Sequence, residues 1–247
     1  MYAALRERNK VVVAGSAHTV GPTGGYIQGG GHSFLGTWKG MASDNALEFS
    51  IVTAAGDLVV VNDHQNSDLF WALRGGGGGT FGVVINVTVR IFDDAPMVLT
   101  NLNITTTAGN PIFWKVMEDY HALLPALNDA GGAGYYFMVP DAPLSTNTSL
   151  STLTATLAFA NTTDTAKIDQ LYAPLLKALN ATTGVTLQYR CVPFPSIVSF
   201  ILSILITGNA DETGTINIIG SRLFSRDLLI SDDGPERLIS AFSSLQY

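Results

Sequence analysis

Two glycine-rich stretches carry the most specific chemistry in this 247-residue chain. The first is "TVGPTGGYIQGGGHSFLG", Thr19 to Gly36; the second is "WALRGGGGGTFGVVINVTVRIF", Trp71 to Phe92. Glycine reaches backbone conformations closed to other residues and lets a ligand or another segment approach the main chain closely. It also leaves N–H groups able to bond an anion such as a diphosphate. In the second stretch Gly77, Gly79 and Gly82 satisfy a formal G-x-G-x-x-G. A dinucleotide fingerprint of that form follows a strand and opens a helix, so that the helix N-terminus faces the pyrophosphate. Here the order is reversed: the helix-like "NSDLFWALRG" comes first and an alternating strand follows. Five adjacent glycines match the pattern trivially, so the fingerprint is rejected. A phosphate loop fails as well, because no Gly-Lys-Ser/Thr follows. A flexible spacer fits the composition, but a spacer needs no coupling to a strongly patterned strand. Close backbone approach is left. Two such loops beside one small sheet suit a large phosphorylated cofactor; either loop alone is equally a set of tight turns and bulges.

Other reactive types are dispersed. Cys191 is the single cysteine, and His18, His32, His64 and His121 have no zinc-ligand spacing, so no disulfide framework and no metal site is expected. Glu48, Asp57, Glu118 and Asp119 show no pairing of the kind that glycoside hydrolysis requires. Net charge is −7 without a basic run, which argues against nucleic acid as a partner. The longest apolar run, "IVSFILSILITG" from Ile197 to Gly208, is too short to cross a bilayer and reads as a core helix, so no membrane partner is expected. N-x-S/T sequons at Asn86, Asn103, Asn147, Asn161 and Asn180 point to a secretory route, although the start "MYAALRERNKVVVAG" is no signal peptide. An upstream N-terminus would reconcile the two.

Around these stretches the elements are legible. "KVVVAG" (Lys10 to Gly15) reads as a short buried strand. "ALEFSIVTAAGDLVVVN" (Ala46 to Asn62) reads as a hairpin turning at Gly56. Asn66 or Ser67 can cap a helix with Leu69, Phe70 and Leu73 on one face. From Gly82 the chain alternates, which predicts a half-buried strand with Val83, Ile85, Val87, Val89 and Ile91 on one side. Composition shifts at "DDAP", Asp93 to Pro96, where a domain boundary is expected near residue 94. Beyond it strands (98–106, 134–139, 150–160, 185–192) interleave with helices (111–124, 164–179), predicting a sheet covered on one face. "INIIGSRLFSRDLL" reads as a further strand, with a last helix from near Asp232 or Pro235. Both chain ends read as cut elements, so the chain is expected to be part of a longer protein.

"TVGPTGGYIQGGGHS", "ASDNALEFSIVTAAGDLVVVN" and "NSDLFWALRGGGGGTFGVV", in this order and spacing, resemble the FAD-linked oxidases with a vanillyl-alcohol-oxidase-type (PCMH-type) flavin domain. The fungal berberine-bridge-enzyme-like subgroup is the most similar. The match covers roughly residues 5 to 92, and "GSRLFSRDLL" extends it weakly. The resemblance implies an α+β fold: the second subdomain of the flavin domain over residues 1–94, then an α/β substrate domain over 95–247 whose antiparallel sheet roofs the isoalloxazine. It implies cofactor contacts from Ala17, Thr19, Val20, Gly21, Gly24, Gly25 and Tyr26 in the first loop, and from Gly82, Val83 and Val84 at the strand entry. Asp44 and Asn45 match a turn-holding A-D-N. Bicovalent members carry a cysteine where this chain has Ala17, and a proline where it has His18, so no cysteinyl flavin link is expected. A histidyl link would need an "R-S-G-G-H" segment upstream of Met1.

The reaction the resemblance implies is a two-electron oxidation, with substrate hydride passing to flavin N5 and O2 as acceptor. Its substrate would be a small molecule: a sugar, an alcohol or an alkaloid-like amine. No catalytic base is assignable; Tyr135, Tyr136, Tyr189 and Arg190 lie on the expected substrate-domain strands. The full-length form is expected to be secreted and monomeric, and this chain alone to hold flavin weakly or not at all. The alternative is a non-catalytic remnant of the same fold.

Overall fold

The computed structural model describes residues 1–15, 17, 19–146, 148–207 and 221–245. These form two compact units. One is Met1–Pro96 with the segment from Pro195 that contains a helix. The other is Met97–Phe194 with the last helices of the chain.

The first unit opens with α1 (Tyr2–Arg6) and β1 (Lys10–Val11). Strand pairing in "KVVVAG" stops after two residues, yet Val12, Val13 and Ala14 are buried. The predicted strand is a buried extension of a two-residue pairing with β5 (Phe92–Asp93), tied by a Lys10–Asp93 ion pair. The first glycine stretch contains two single-turn helices, α2 (Gly25–Gln28) and α3 (Gly36–Lys39). The hairpin forms as expected: β2 (Ala46–Val52) pairs antiparallel with β3 (Leu58–Asn62), with Gly56 at φ +89°. Helix α4 (Ser67–Leu73) follows, its Phe70 ring 6.0 Å from Phe49. Asn66 sits at its N-cap position, but the side chain donates to the Val60 carbonyl (2.8 Å) instead of capping.

Strand β4 (Val83–Val89) completes a sheet of order β3-β2-β4. Here the alternation misleads. Val84 pairs with Ile51 and Asn86 with Ser50, which leaves Ile85 as a bulge. A bulge adds one residue and reverses side-chain parity across it. Val84 and Val87 therefore share the side of the fully buried Ile51 and Phe49, while Val83 and Ile85 are 67% and 58% exposed. Asp94 ends this part of the chain with a long-range role. Its carboxylate accepts from the backbone N–H groups of Ile197 (3.1 Å) and Val198 (3.2 Å) and from the Ser196 hydroxyl, capping α7 (Ile197–Thr207).

The second unit is an antiparallel sheet of order β7-β8-β6-β9: β6 (Met97–Thr107), β7 (Gly132–Ser145), β8 (Thr148–Ala160) and β9 (Val185–Phe194). Helices α5 (Ile112–Asp129) and α6 (Thr165–Asn180) pack on one face around Leu102, Ile104, Phe113, Tyr120, Phe159 and Tyr172. Helix α5 runs past Pro125, where the sequence predicts an end at Leu124. Proline forfeits a hydrogen bond to the carbonyl four residues back, but Pro125 and Leu127 are buried, and that packing carries the helix through. The strand expected at "INIIGSRLFSRDLL" is corrected in part. Residues 216–220 lie outside the described residues, Ser221 to Ser225 have no regular structure, and Arg226–Ile230 is helix α8. Its Ser225 hydroxyl caps Leu228 N–H, so the local capping signal prevails. Helix α9 (Gly234–Ser243) begins at the predicted place with Pro235 in its first turn.

Candidate functional site

The pentaglycine owes its composition to the backbone, residue by residue. Gly75, Gly77 and Gly79 have φ of +137°, +100° and +74°, which side chains disfavour. Gly76 and Gly78 are closed sterically. A Cβ on Gly76 would lie 2.4 Å from the Ala72 carbonyl oxygen, and one on Gly78 would lie 2.7 Å from the Gly25 Cα. Gly77 N–H also donates to the Gln28 carbonyl (3.0 Å). The two glycine stretches thus dock against each other, main chain on main chain, at the α2 turn.

That contact leaves the opposite side of the α2 turn open. A Cβ on Gly21 or Gly25 would meet nothing within 4 Å, and one on Gly24 only the Gly21 carbonyl at 3.9 Å. Thr19, Val20, Gly21 and Gly25 are exposed, and Ala17 and Gly24 are half-buried. His18 lies outside the described residues. Tyr26 packs against Gly15 and donates its hydroxyl to the His32 carbonyl (2.6 Å), so its ring is held in place. Asp44 and Asn45 hold their turn: Asp44 accepts from Met41 N–H (2.8 Å), and Asn45 donates to the Lys39 and Met41 carbonyls.

One residue of this turn escaped the sequence reading. Gln28 is 4% exposed; its Nε2 donates to the Gly24 carbonyl (3.2 Å), and its Oε1 is buried without a hydrogen-bond partner among the described residues. A buried unsatisfied acceptor costs about 1–3 kcal/mol, so such atoms call for a donor. The only signal in the sequence is an amide set between Ile27 and three glycines.

At the strand entry the predicted residues divide. Gly82 has φ +152°, and its Cβ would fall 2.4 Å from the Val52 carbonyl oxygen, so this glycine serves the β2–β4 contact. Val84 faces the sheet core, and Val83 points to solvent. Beside the pentaglycine lies a cavity of about 480 Å³ lined by Asp44, Trp71, Arg74, Gly76 and Phe81.

In the second unit the register sorts the four candidate side chains. Tyr136 and Tyr189 face the helices. The Tyr189 hydroxyl donates to Asp169 (2.9 Å). His121 is buried, and its Nδ1 sits 2.7 Å from the Met117 carbonyl, an obligate acceptor, so Nδ1 carries the proton and Nε2 accepts from the Tyr136 hydroxyl (2.9 Å). Burial holds the His121 pKa below its ordinary value and raises that of Tyr136. Tyr135 and Arg190 lie on the other face. Three of the four dispersed carboxylates are engaged: Glu48 accepts from Asn62, and Glu118 and Asp119 both pair with Lys115. Among the described residues no group of three metal-ligating side chains occurs, and no helix is long and apolar enough to cross a membrane.

No family model matches the chain. It is 44% identical over 248 residues to an uncharacterized FAD-linked oxidoreductase of Arthroderma benhamiae, a match covering 100% of this chain and 42% of that protein. It is 38% identical over 242 residues to the flavin-dependent oxygenase ucdF of Aspergillus ustus, covering 95% and 43%. The crystal structure of the VAO-type flavoprotein MtVAO615 of Myceliophthora thermophila superimposes with a TM-score of 0.81 at 32% identity, over 98% of this chain and 42% of that one. The chain spans about two fifths of the length of the relatives it matches. The curated relatives it matches are thus FAD-linked oxidoreductases, and its fold is that of the matching part of a VAO-type flavoprotein.

Proposed function

We propose that this chain is part of an FAD-dependent oxidoreductase, with residues 1–94 facing the cofactor and residues 95–247 facing the substrate. One observation carries the reading: the α2 turn is braced from behind by the Gly25–Gly78 contact and is open in front at Gly21, Gly24 and Gly25. That is a rigid wall without side chains, suited to a flat ring. The buried, unpartnered Gln28 Oε1 beneath it offers an acceptor for a ring N–H. The residues present therefore fit the flavin. Thr19 and Val20 extend the wall, Tyr26 anchors it, and Val83 adds an exposed apolar contact at the strand entry. Gly82 and Val84 act through the strand geometry.

Bound FAD would supply two-electron chemistry toward a substrate C–H, with O2 as acceptor. Ala17 presents a methyl group where bicovalent relatives carry a thiol, so attachment through a cysteinyl bond is not expected. The sequons support a secreted full-length protein.

The test is an FAD titration of the purified chain followed by flavin fluorescence, with Gly21→Val and Gly25→Val beside it. Both positions have open space and no left-handed φ, so the variants should melt like the parent. Saturable binding that weakens about tenfold or more in the variants, about 1.4 kcal/mol, supports the reading. Saturable binding that is undiminished in both variants overturns it. Flavin that stays in solution after acid precipitation of the protein would show the absence of a covalent link.

A further inference from the structure

The face of the β7-β8-β6-β9 sheet away from the helices has its own chemistry. Register places Tyr135, Thr156, Asn101 and Arg190 in one cross-strand row, and Phe137, Thr154, Asn103 and Gln188 in the next. Thr156 Oγ1 donates to Asn101 Oδ1 at 2.9 Å, which fixes these side chains on a common side. The helix-side rows are apolar, but these rows are amides and hydroxyls with rings at one edge and a guanidinium at the other. Phe137 is 65% and Tyr135 47% exposed. Arg190 is exposed and pairs with no carboxylate among the described residues, and the eight positions contain no acid. In a chain of net charge −7, that leaves one cation on an otherwise uncharged patch.

We infer that this face binds a flat small molecule carrying a carboxylate, with the carboxylate on Arg190 and the flat part on Phe137 and Tyr135. Neighbouring strands lie about 4.8 Å apart, so the rings and the guanidinium stand about 14 Å apart at the backbone. Their side chains reach inward, which suits a ligand with its ring and anion several ångströms apart. Arginine recognises a carboxylate through two parallel N–H···O bonds, and Gln188, Asn101 and Asn103 can bond polar atoms between. This deepens the reading of residues 95–247 as the substrate side and rests on it.

The probes are biphenyl-4-carboxylate and its uncharged counterpart biphenyl-4-carboxamide, titrated against the purified chain by ligand-observed NMR. The parent should bind the carboxylate about tenfold more tightly than the carboxamide, in line with a charge-assisted pair. Arg190→Gln should abolish that preference while leaving carboxamide binding in place, and Phe137→Ala should weaken both probes. Both substitutions are on exposed positions, so thermal melts should be close to the parent's. Equal affinity for the two probes, a preference that survives Arg190→Gln, or no binding of either probe overturns the inference. FAD titration of the same samples is a separate readout. Loss of flavin binding with the carboxylate preference intact would count against the flavin reading alone and leave this site standing.

Discussion

Replacing Gly78 with alanine puts a methyl carbon 2.7 Å from the Gly25 Cα. Ordinary carbon–carbon contact is about 3.5–4.0 Å, so the two turns must separate by about 1 Å. Neither side has a side chain that can swing away, because both partners are main chain. Overpacking of this kind costs about 1–3 kcal/mol, and an immobile partner puts the cost at the upper end. Alanine also stiffens the unfolded chain, which returns about 0.4–1 kcal/mol. The net expectation is a loss of about 2 kcal/mol, or about 4–8 °C in the melting transition of a chain this size. The Gly77–Gln28 hydrogen bond spans the same contact and should weaken with it. Gly25→Ala is the control, since its Cβ would enter open space and its φ is unstrained. It should stay within about 0.5 kcal/mol of the parent. Urea unfolding followed by circular dichroism measures all three proteins. If Gly78→Ala matches the parent, or if Gly25→Ala is equally damaging, the docking of one glycine stretch on the other is wrong.

Three further outcomes are expected. Burial holds the His121 pKa below its ordinary 6.5, so below that pH the unfolded chain takes up a proton that the folded chain refuses. Stability should therefore be complete above pH 6.5 and fall as the pH drops toward the folded value; unfolding curves from pH 7.5 to 5 should show this slope, and His121→Phe should remove it. Asp94→Ala strips the N-terminus of α7 of its acceptor and should cost about 1–2 kcal/mol in the same denaturation assay, with Asp94→Asn recovering most of it. Expressed through a eukaryotic secretory route, the chain should carry glycan at Asn161, in the turn after β8, and at Asn180, at the end of α6, both exposed. Peptide mass mapping after deglycosylation reads both sites.

Much was legible in the linear chain because its causes are local. Residues 46–62 form the expected hairpin because Gly56 supplies the positive φ between two β-branched runs. Apolar periodicity at 165–180 is satisfied by one helix packing on one sheet. The helix–glycine–strand order of residues 66–89 was sufficient to exclude a nucleotide fingerprint, since that motif depends on which element the glycines open.

Tertiary structure decided what depends on a partner far along the chain. Strict alternation in β4 could not show the bulge at Ile85, because parity is set by pairing with β2, and the bulge turned Val83 and Ile85 outward. Pro125 ends a helix on propensity and sits inside one here, held by its burial. Five consecutive glycines announced close approach without saying to what. Only the folded chain shows that Gly78 meets Gly25, that Gly76 meets its own helix, and that Gly21 and Gly25 face open space. Tyr135 and Tyr136 are neighbours in sequence, yet a pleated strand sends one to the open face and the other to His121. Residue type specified which contacts each segment could make, and the register between distant segments selected which of them were made.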